Sequence, residues 1–438
     1  MDKPIVAIIG RPNVGKSTLF NRIVGKRIAI VEDTAGITRD RIYAQAEWNG
    51  YEFVVIDTGG ILLNERDPLK AEVTTQAQVA LEEADVVLFM VDAESGITPG
   101  DREIADKLRG ASKHILVVAN KADNDMRETD ASEFYSLGLG KVYPISALNG
   151  RGVADLLDAV VDALPPVGEI GYPEDTIRIA IVGRPNVGKS SLLNAIVGSK
   201  RVIVSEIPGT TRDAVDTVIQ VREQTVVLVD TAGIRKAGKI QGSVEYYTVL
   251  RAVRAMERAD VAMIVIDASE GLRDGDKRVA GLAHDAGRAC VLVVNKWDLL
   301  PSGSMREFAD EIRRQIPFLD YAPIVFTSAL TGMGISEAVD TALDAASNHA
   351  MRIPTGELNR ILQEAFDSHP YSRKGKELKL RYATMPDVKP PTIVLFVNDP
   401  ELMHFSYLRY LENQIRQVYS YEGTPLRLLV RKARKERG

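Results

Sequence analysis

One stretch of eight residues occurs twice, unchanged, in this chain of 438 residues. Residues 10–17 read Gly-Arg-Pro-Asn-Val-Gly-Lys-Ser, and the same octapeptide returns at residues 183–190, an offset of 173. Ordered repeats with a slowly growing offset predict two copies of one domain that differ by loop insertions. Three shorter motifs recur in the same order at offsets of 173, 175 and 182: residues 57–60 and 230–233, 120–123 and 295–298, and 146–148 and 328–330.

Within each copy, short apolar runs alternate with longer stretches of helical periodicity, such as residues 73–84. Uninterrupted apolar strands are typical of a parallel sheet that is covered on both faces, so each copy is predicted to be α/β. The predicted boundaries are 1–164 for the first copy, 165–176 for a linker rich in Pro and Gly, and 177–348 for the second copy. The apolar runs are residues 54–56, 86–91 and 115–119, then 225–229, 261–266 and 290–294.

The pattern changes in the C-terminal region, residues 349–438, which is predicted to fold in the order α-β-β-α-β. Its first helix carries the apolar stripe Leu358, Ile361, Leu362, Ala365 and Phe366, and its second helix is predicted over residues 401–417. From Met351 onward there are 16 Lys and Arg against 10 Asp and Glu, although the whole chain has a net charge of −5. A basic segment on an acidic protein indicates contact with nucleic acid.

The repeated octapeptide fits the G-x-x-x-x-G-K-[ST] pattern of a phosphate-binding loop and lies between a predicted strand and a predicted helix. The glycine before each lysine lets the backbone approach phosphates, whose oxygens accept hydrogen bonds from loop N–H groups. Lys16 and Lys189 are expected to reach the β- and γ-phosphates. The predicted nucleotide-binding residues of the two loops are Gly10, Asn13, Val14, Gly15, Lys16, Ser17 and Thr18, and Gly183, Asn186, Val187, Gly188, Lys189, Ser190 and Ser191.

A second pair of motifs specifies the base. Asn120-Lys121-x-Asp123 and Asn295-Lys296-x-Asp298 each follow a predicted buried strand. A carboxylate at the last position accepts hydrogen bonds from both N1 and N2 of guanine, which adenine cannot donate in that arrangement. The pairs Ser146-Ala147 and Ser328-Ala329 are expected to supply backbone contacts to the base edge. The predicted ligands are therefore GTP and GDP.

The remaining motifs predict a magnesium ion and two loops that sense the γ-phosphate. Asp57 and Asp230 are predicted to end strands and to hold Mg²⁺ through water, and the amides of Gly60 and Gly233 to reach the γ-phosphate. A threonine hydroxyl 21 residues after each phosphate-loop serine is a further ligand, lost when the γ-phosphate leaves. The predicted catalytic residues are Lys16, Thr38, Gly60, Lys189, Thr211 and Gly233, and the predicted Mg²⁺ ligands are Ser17, Thr38, Asp57, Ser190, Thr211 and Asp230.

These motifs, doubled and followed by a basic α/β segment, resemble the EngA (Der) family of bacterial GTPases over essentially the whole chain. The resemblance implies two tandem P-loop, Ras-like GTPase domains followed by a small α/β KH-like domain. It also implies a GTPase that acts in assembly of the large ribosomal subunit, with that subunit and its RNA as partners.

The same resemblance bears on catalysis. In related families an asparagine of the phosphate loop, here Asn13 or Asn186, helps to hold a potassium ion beside the phosphates. The residues after the D-T-x-G motifs are Ile61 and Ile234, which cannot orient water as the glutamine of many GTPases does. Potassium-stimulated hydrolysis is therefore expected, and the alternative is that each asparagine only caps its loop.

Other interpretations stay open at this stage. One site could hold nucleotide without turnover, which would make the protein a GTP-binding scaffold, whereas a metabolic transfer enzyme would need a further catalytic constellation. The C-terminal region lacks a G-x-x-G clamp and could dock a protein instead of RNA. Its candidate RNA contacts are Arg373, Lys374, Lys376, Lys379 and the terminal basic run of residues 431–437. In the second copy, Arg235, Lys236 and Lys239 are expected to contact RNA or an acidic surface.

Composition limits the cellular setting. A single cysteine, Cys290, excludes a disulfide framework, and its apolar neighbours predict a buried structural residue. No apolar stretch approaches the roughly 20 residues that a membrane span needs. A cytoplasmic monomer is therefore expected.

Overall fold

The computed structural model shows a chain that divides into two compact units. The first unit contains the sheet of the first copy, and the second unit contains the sheet of the second copy together with the C-terminal region. The structure describes residues 3–25, 43–57, 84–110, 113–165, 172–173, 175–199, 201–204, 216–231, 244–300, 303–373 and 375–433.

The first copy is built on a six-stranded sheet in the order β2-β3-β1-β4-β5-β6, parallel except for β2 against β3. Every side chain of β4 is buried, as expected of a central strand that is covered on both faces. The strands are β1 (Ile5–Ile9), β2 (Tyr43–Trp48), β3 (Tyr51–Asp57), β4 (Val86–Asp92), β5 (His114–Asn120) and β6 (Val142–Pro144). The helices are α1 (Lys16–Val24), α2 (Pro99–Leu108), α3 (Asp125–Asp130) and α4 (Val153–Ala163).

The second copy repeats this plan in a seven-stranded sheet, β13-β12-β11-β7-β10-β9-β8, whose last two strands are antiparallel to their neighbours. All six predicted apolar runs lie within strands, whereas residues 73–83 of the predicted helical stretch lie outside the described residues. The elements are β7 (Ile177–Val182), α5 (Lys189–Val197), β8 (Val202–Val204), β9 (Thr217–Val221), β10 (Gln224–Val229), α6 (Val244–Arg258), β11 (Val261–Asp267), α7 (Asp274–Asp285), β12 (Ala289–Asn295), α8 (Met305–Gln315), β13 (Ile324–Phe326) and α9 (Ile335–Ala350).

The C-terminal region has its own core and a three-stranded sheet in which β17 pairs with β16 antiparallel and with β18 parallel. The predicted order is confirmed, with an additional small hairpin, β14 and β15. The second helix begins later than predicted, because Pro400–Leu402 form a 3-10 turn and His404 caps the helix. The elements are α10 (Thr355–Ser368), β14 (Ser372–Arg373), β15 (Lys376–Glu377), β16 (Leu380–Asp387), β17 (Thr392–Val397), α11 (Phe405–Val418) and β18 (Arg427–Lys432).

The second copy and the C-terminal region are joined by a buried contact inside the second unit. The Cys290 N–H donates to the Gly423 carbonyl at 2.7 Å, and the Arg416 guanidinium lies 5.3 Å from the centre of the Tyr321 ring. Cys290 is fully buried, and burial raises the pKa of its thiol to about 12. The predicted burial of this cysteine is therefore confirmed. Among the described residues, no helix has the length and apolar character needed to cross a membrane.

Candidate functional site

Each octapeptide forms a loop between the first strand of its copy and the following helix. Gly15 and Gly188 precede α1 and α5 with φ of 98° and 97°, a left-handed conformation that favours glycine. A Cβ atom at either position would collide with a side-chain amide, that of Asn120 in the first copy and that of Asn295 in the second. The glycines are therefore required both by backbone conformation and by close packing against the base-specifying motif.

The asparagines of the two loops also adopt left-handed backbone conformations. Asn13 has a φ of 66° and Asn186 a φ of 64°, and both residues are exposed. Asparagine tolerates this conformation better than most residues with a Cβ atom. The backbone thus gives a conformational reason for asparagine here, beside the suggested contact with potassium.

The lysine of each loop folds back over the loop carbonyls. Lys16 Nζ donates to the carbonyl oxygens of Gly10 and Arg11 at 2.8 and 2.7 Å. Lys189 makes the equivalent bonds at 2.8 and 2.5 Å. Burial lowers the pKa of Lys189 to about 8, and an anionic ligand beside the ammonium group would favour its charged form.

The arginine of each loop forms an ion pair that the sequence analysis missed. Arg11 Nε lies 2.8 Å from Asp101 Oδ1, and Arg184 Nε lies 2.8 Å from Asp276 Oδ1. Both aspartates are fully buried in the first turns of α2 and α7. The sequence does contain a signal for this ion pair. A Gly-Asp dipeptide occurs at residues 100–101 and again at residues 275–276, at the same offset of 175 as the base-specifying motifs.

The asparagine that opens each base-specifying motif connects the phosphate loop to the Ser-Ala loop. Asn120 Nδ2 donates to the Val14 carbonyl at 2.8 Å, and its Oδ1 accepts from the Ala147 amide at 2.9 Å. Asn295 makes the corresponding bonds in the second copy at 3.1 and 3.2 Å. The loops predicted to hold phosphate and base are thus fixed to each other by one buried side chain in each copy.

The lysine of the same motif is anchored by an aspartate at the end of the neighbouring strand. Lys121 pairs with Asp92, and Lys296 with Asp267, both at 2.6 Å. Lys296 Nζ also donates to the Asn186 carbonyl at 2.8 Å, which adds a second link to the phosphate loop. Burial alone would raise the pKa of Asp267, but hydrogen bonding, led by Lys296, holds it below its ordinary value.

The aspartate that ends the motif in the first copy is oriented by side chains around it. Ser146 Oγ donates to Asp123 Oδ1 at 2.6 Å, and Asn149 Nδ2 donates to the same oxygen at 3.3 Å. Ser146 therefore orients this carboxylate with its side chain, a role beyond the predicted backbone contact. In the second copy Asp298 is half-buried and follows Trp297, whose ring packs edge-on against Phe326.

The first copy brings together two of its predicted magnesium ligands. Asp57 is the last residue of β3 and is almost fully buried, and Ser17 lies in the first turn of α1. Ser17 Oγ donates to Asp57 Oδ2 at 2.5 Å. A hydroxyl and a carboxylate oxygen so close together are of the ligand type that Mg²⁺ prefers.

The second copy holds its corresponding aspartate differently. Asp230 follows β10 instead of ending it, with a φ of 56°, so its predicted place in the strand is wrong. Its N–H donates to Asp216 Oδ1 at 2.9 Å, and the Asp216 carboxylate pairs with Arg258 of α6 at 2.5 Å. The corresponding positions of the first copy are Tyr43 and Glu83, which cannot form this ion pair. The two sites are therefore not equivalent.

Several predicted residues lie outside the described residues, and their roles stay predictions. They are Thr38, Gly60, Thr211 and Gly233, which are predicted to sense the γ-phosphate, the isoleucines Ile61 and Ile234, and the basic residues Arg235, Lys236, Lys239 and Lys374 with residues 434–437 of the terminal basic run.

Comparison with known proteins gives the family. A family model described as a 50S ribosome-binding GTPase matches residues 5–121 and 178–296. A second, described as the C-terminal KH-domain-like part of EngA bacterial GTPases, matches residues 352–431. The GTPase Der of Pelotomaculum thermopropionicum is 51% identical over 439 residues, and the match covers 100% of each chain. The chain belongs to the Der family of GTPases.

A second relative of similar identity agrees with this assignment. The GTPase Der of Moorella thermoacetica is 53% identical over 440 residues, which is 99% of this chain and 100% of that one. A crystal structure of Aquifex aeolicus Era bound to GDP and AlF4⁻ covers 73% of this chain at 26% identity, with a TM-score of 0.31. Membership of the Der family confirms the predicted family, the two tandem GTPase domains with a KH-like C-terminal region, and the GTPase activity.

Proposed function

We propose that this Der GTPase hydrolyses GTP at both copies and uses its nucleotide state to control binding to the large ribosomal subunit. The observation that carries the two-site proposal is the buried asparagine of each copy. Asn120 and Asn295 hold the phosphate loop and the Ser-Ala loop of their copies in one arrangement, with hydrogen bonds of 2.8 to 3.2 Å. One ligand can therefore contact both loops in each copy.

The phosphate end of each site suits a magnesium nucleotide. Bound Mg²⁺ would neutralise negative charge on the phosphate oxygens. In the first copy the adjacent oxygens of Ser17 and Asp57 fit such an ion, and Ser190 and Asp230 are the proposed counterparts. Lys16 and Lys189 would exchange loop carbonyls for phosphate oxygens, which are stronger hydrogen-bond acceptors for an ammonium group.

The residues that sense the γ-phosphate complete this proposal. Thr38 and Thr211 would add a hydroxyl ligand to the ion, and the amides of Gly60 and Gly233 would bind the γ-phosphate. At the other end of each site, Asp123 and Asp298 would accept the two hydrogen bonds that guanine donates.

We expect hydrolysis to be about tenfold or more faster in potassium than in sodium, because the site proposed at Asn13 and Asn186 is one for potassium, whose charge beside the phosphates would replace that of an arginine. Steady-state rates in KCl and NaCl at equal ionic strength measure this effect. The double variant Asn13→Gly, Asn186→Gly separates the two explanations for these asparagines, a potassium ligand and a residue needed only for the backbone conformation. Glycine keeps the left-handed backbone but lacks the amide oxygen. Loss of the potassium effect in this variant supports an ion ligand. Equal wild-type rates in both salts would remove the potassium proposal.

The ribosomal part of the proposal rests on the description of the matching family model and on the basic C-terminal region. Co-sedimentation with separated ribosomal subunits at fixed salt tests it, with a non-hydrolysable GTP analogue, with GDP and without nucleotide. We expect binding to the large subunit with the analogue only. Lys16→Ala and Lys189→Ala should each weaken nucleotide binding at one site by about 10²-fold or more, because each removes charge-assisted hydrogen bonds. Comparing the two variants shows which site controls subunit binding.

Two outcomes would change this proposal. Absence of subunit binding in every nucleotide state would remove the ribosomal role and leave the GTPase activity. Single-turnover hydrolysis confined to one copy would make the other copy a site that holds nucleotide as a structural element. The isoleucines at positions 61 and 234, where many GTPases carry a water-positioning glutamine, are the reason to measure both copies separately.

A further inference from the structure

The sheet of the C-terminal region has one face against its helices and one face directed away from them. Leu395 and Val397 of β17 belong to the core that includes residues of α10 and α11. Since side chains alternate along a strand, Phe396 points to the opposite face. The strand register places Tyr382 of β16 on one side of Phe396 and Arg431 of β18 on the other. An aromatic ring, a second ring and a guanidinium group thus form one row across the three strands.

This row, here termed the Tyr382 platform (Tyr382, Phe396 and Arg431), has the geometry of a stacking surface. The two rings lie 4.3 Å apart with an angle of 15° between their planes. The exposed fraction of Tyr382 is 46%, and Arg431 is also exposed, while Phe396 is half-buried and stacks on one face of the tyrosine ring. The candidate stacking surface is therefore the face of the Tyr382 ring that is turned away from Phe396, and Arg431 lies on the far side of Phe396 in the same row.

We propose that the Tyr382 platform binds unstacked bases of single-stranded RNA. The inference rests on the proposed ribosomal function and deepens it by assigning a surface and a chemical form to the RNA. Bases that have left a helix stack on aromatic rings and on guanidinium planes, and nearby cations bind the backbone phosphates. Stacking of this kind tolerates many sequences, because every base has a π face.

The charges around the platform favour RNA over a protein partner. Arg431 places a cation on the same face as Tyr382, whereas the exposed Arg381 and Lys432 are neighbours of Tyr382 and Arg431 along the edge strands and alternate to the other face. The exposed carboxylate Glu377, before β16, is paired with Lys379 at 2.9 Å. A protein partner of ordinary size would need a broader apolar area than one exposed ring in a row that ends in a cation. A polyanion with flat bases matches both features of this surface.

Binding of a labelled single-stranded RNA of about eight nucleotides to the full chain, measured by fluorescence anisotropy, tests the platform. Tyr382→Ala should weaken binding about tenfold, because one stacking surface is lost. Tyr382→Phe should bind like the wild type, since the ring is kept. Tyr135→Ala is the matched control, because Tyr135 is a tyrosine of similar exposure, 55%, in the first unit. Thermal unfolding of each variant checks that the fold is retained.

An oligonucleotide of the same length without bases separates stacking from phosphate binding. The wild type should bind this abasic chain about tenfold more weakly than RNA, and Tyr382→Ala should bind both about equally. Equal affinity of the wild type and Tyr382→Ala for RNA, or no RNA binding by either, would overturn the inference. Loss of subunit binding by Tyr382→Ala with unchanged RNA affinity would also overturn it and assign the face to a protein. Tyr382-dependent RNA binding without any subunit binding would instead contradict the proposed ribosomal function alone.

Discussion

Replacing Asp298 with asparagine should lower the affinity of the second site for GDP by about 10³-fold. The carboxylate accepts hydrogen bonds from N1 and N2 of guanine, whereas an asparagine amide offers one acceptor and one donor. One guanine donor would then face another donor in a partly buried site, where an unmet hydrogen bond is costly. Xanthine carries an oxygen acceptor in place of the 2-amino group, so the xanthine nucleotide should bind the variant more tightly than GDP does.

Titration calorimetry with GDP and with xanthosine diphosphate measures both effects. The number of guanine nucleotides bound per chain should fall from two to one, and Asp123→Asn should do the same in the first copy. Asp310→Asn, at an exposed position of α8, is the matched control and should leave both sites unchanged. A variant at Asp298 that keeps two tight GDP sites would show that this carboxylate does not select the base.

Local sequence was sufficient for the framework of the fold and for the loops of the site. The apolar runs that became β4 and β11 are continuous, and such runs have few alternatives to a buried strand. Gly15 and Gly188 were predicted from their place in the motif, because glycine readily adopts the backbone conformation that the loop needs. These features depend on residues within one short segment, so a single sequence contains enough information to predict them.

The supporting contacts of the site were not predicted, because they join residues far apart in the chain. The ion pairs of Arg11 with Asp101 and of Arg184 with Asp276 each span about 90 residues and form only after the sheet has assembled. A full comparison of the two copies could have found them, since both partners recur.

Contacts that occur only once in the chain cannot be found by comparing the two copies. Arg258 and Asp216 pair in the second copy alone, and Tyr382 meets Phe396 through antiparallel pairing of β16 and β17. Single-sequence reasoning therefore reached the repeated motifs of the site and missed both the long-range contacts that support these motifs and the contacts that distinguish the copies.

Replacing Asn295 with alanine should cost the second site about 10²- to 10³-fold in GDP affinity and destabilise the fold by about 2 kcal/mol. The side chain is only 1% exposed, and it bonds to the Val187 carbonyl and to the Ala329 amide. Alanine would leave both backbone groups without this partner and would uncouple the loop proposed to hold phosphate from the loop proposed to contact the base. The ligand would then have to order the two loops itself when it binds.

The variant Asn295→Asp tests the direction of the two hydrogen bonds that Asn295 makes. It keeps an acceptor for the Ala329 amide but loses the donor, and it places a carboxylate against the Val187 carbonyl, so we expect binding at least as weak as with alanine. Titration with fluorescent GDP should show one remaining site in both variants, and Asn120→Ala should remove the other site instead. Unchanged GDP affinity together with lowered thermal stability would contradict the proposal, because it would make the asparagine a part of the core without influence on the ligand.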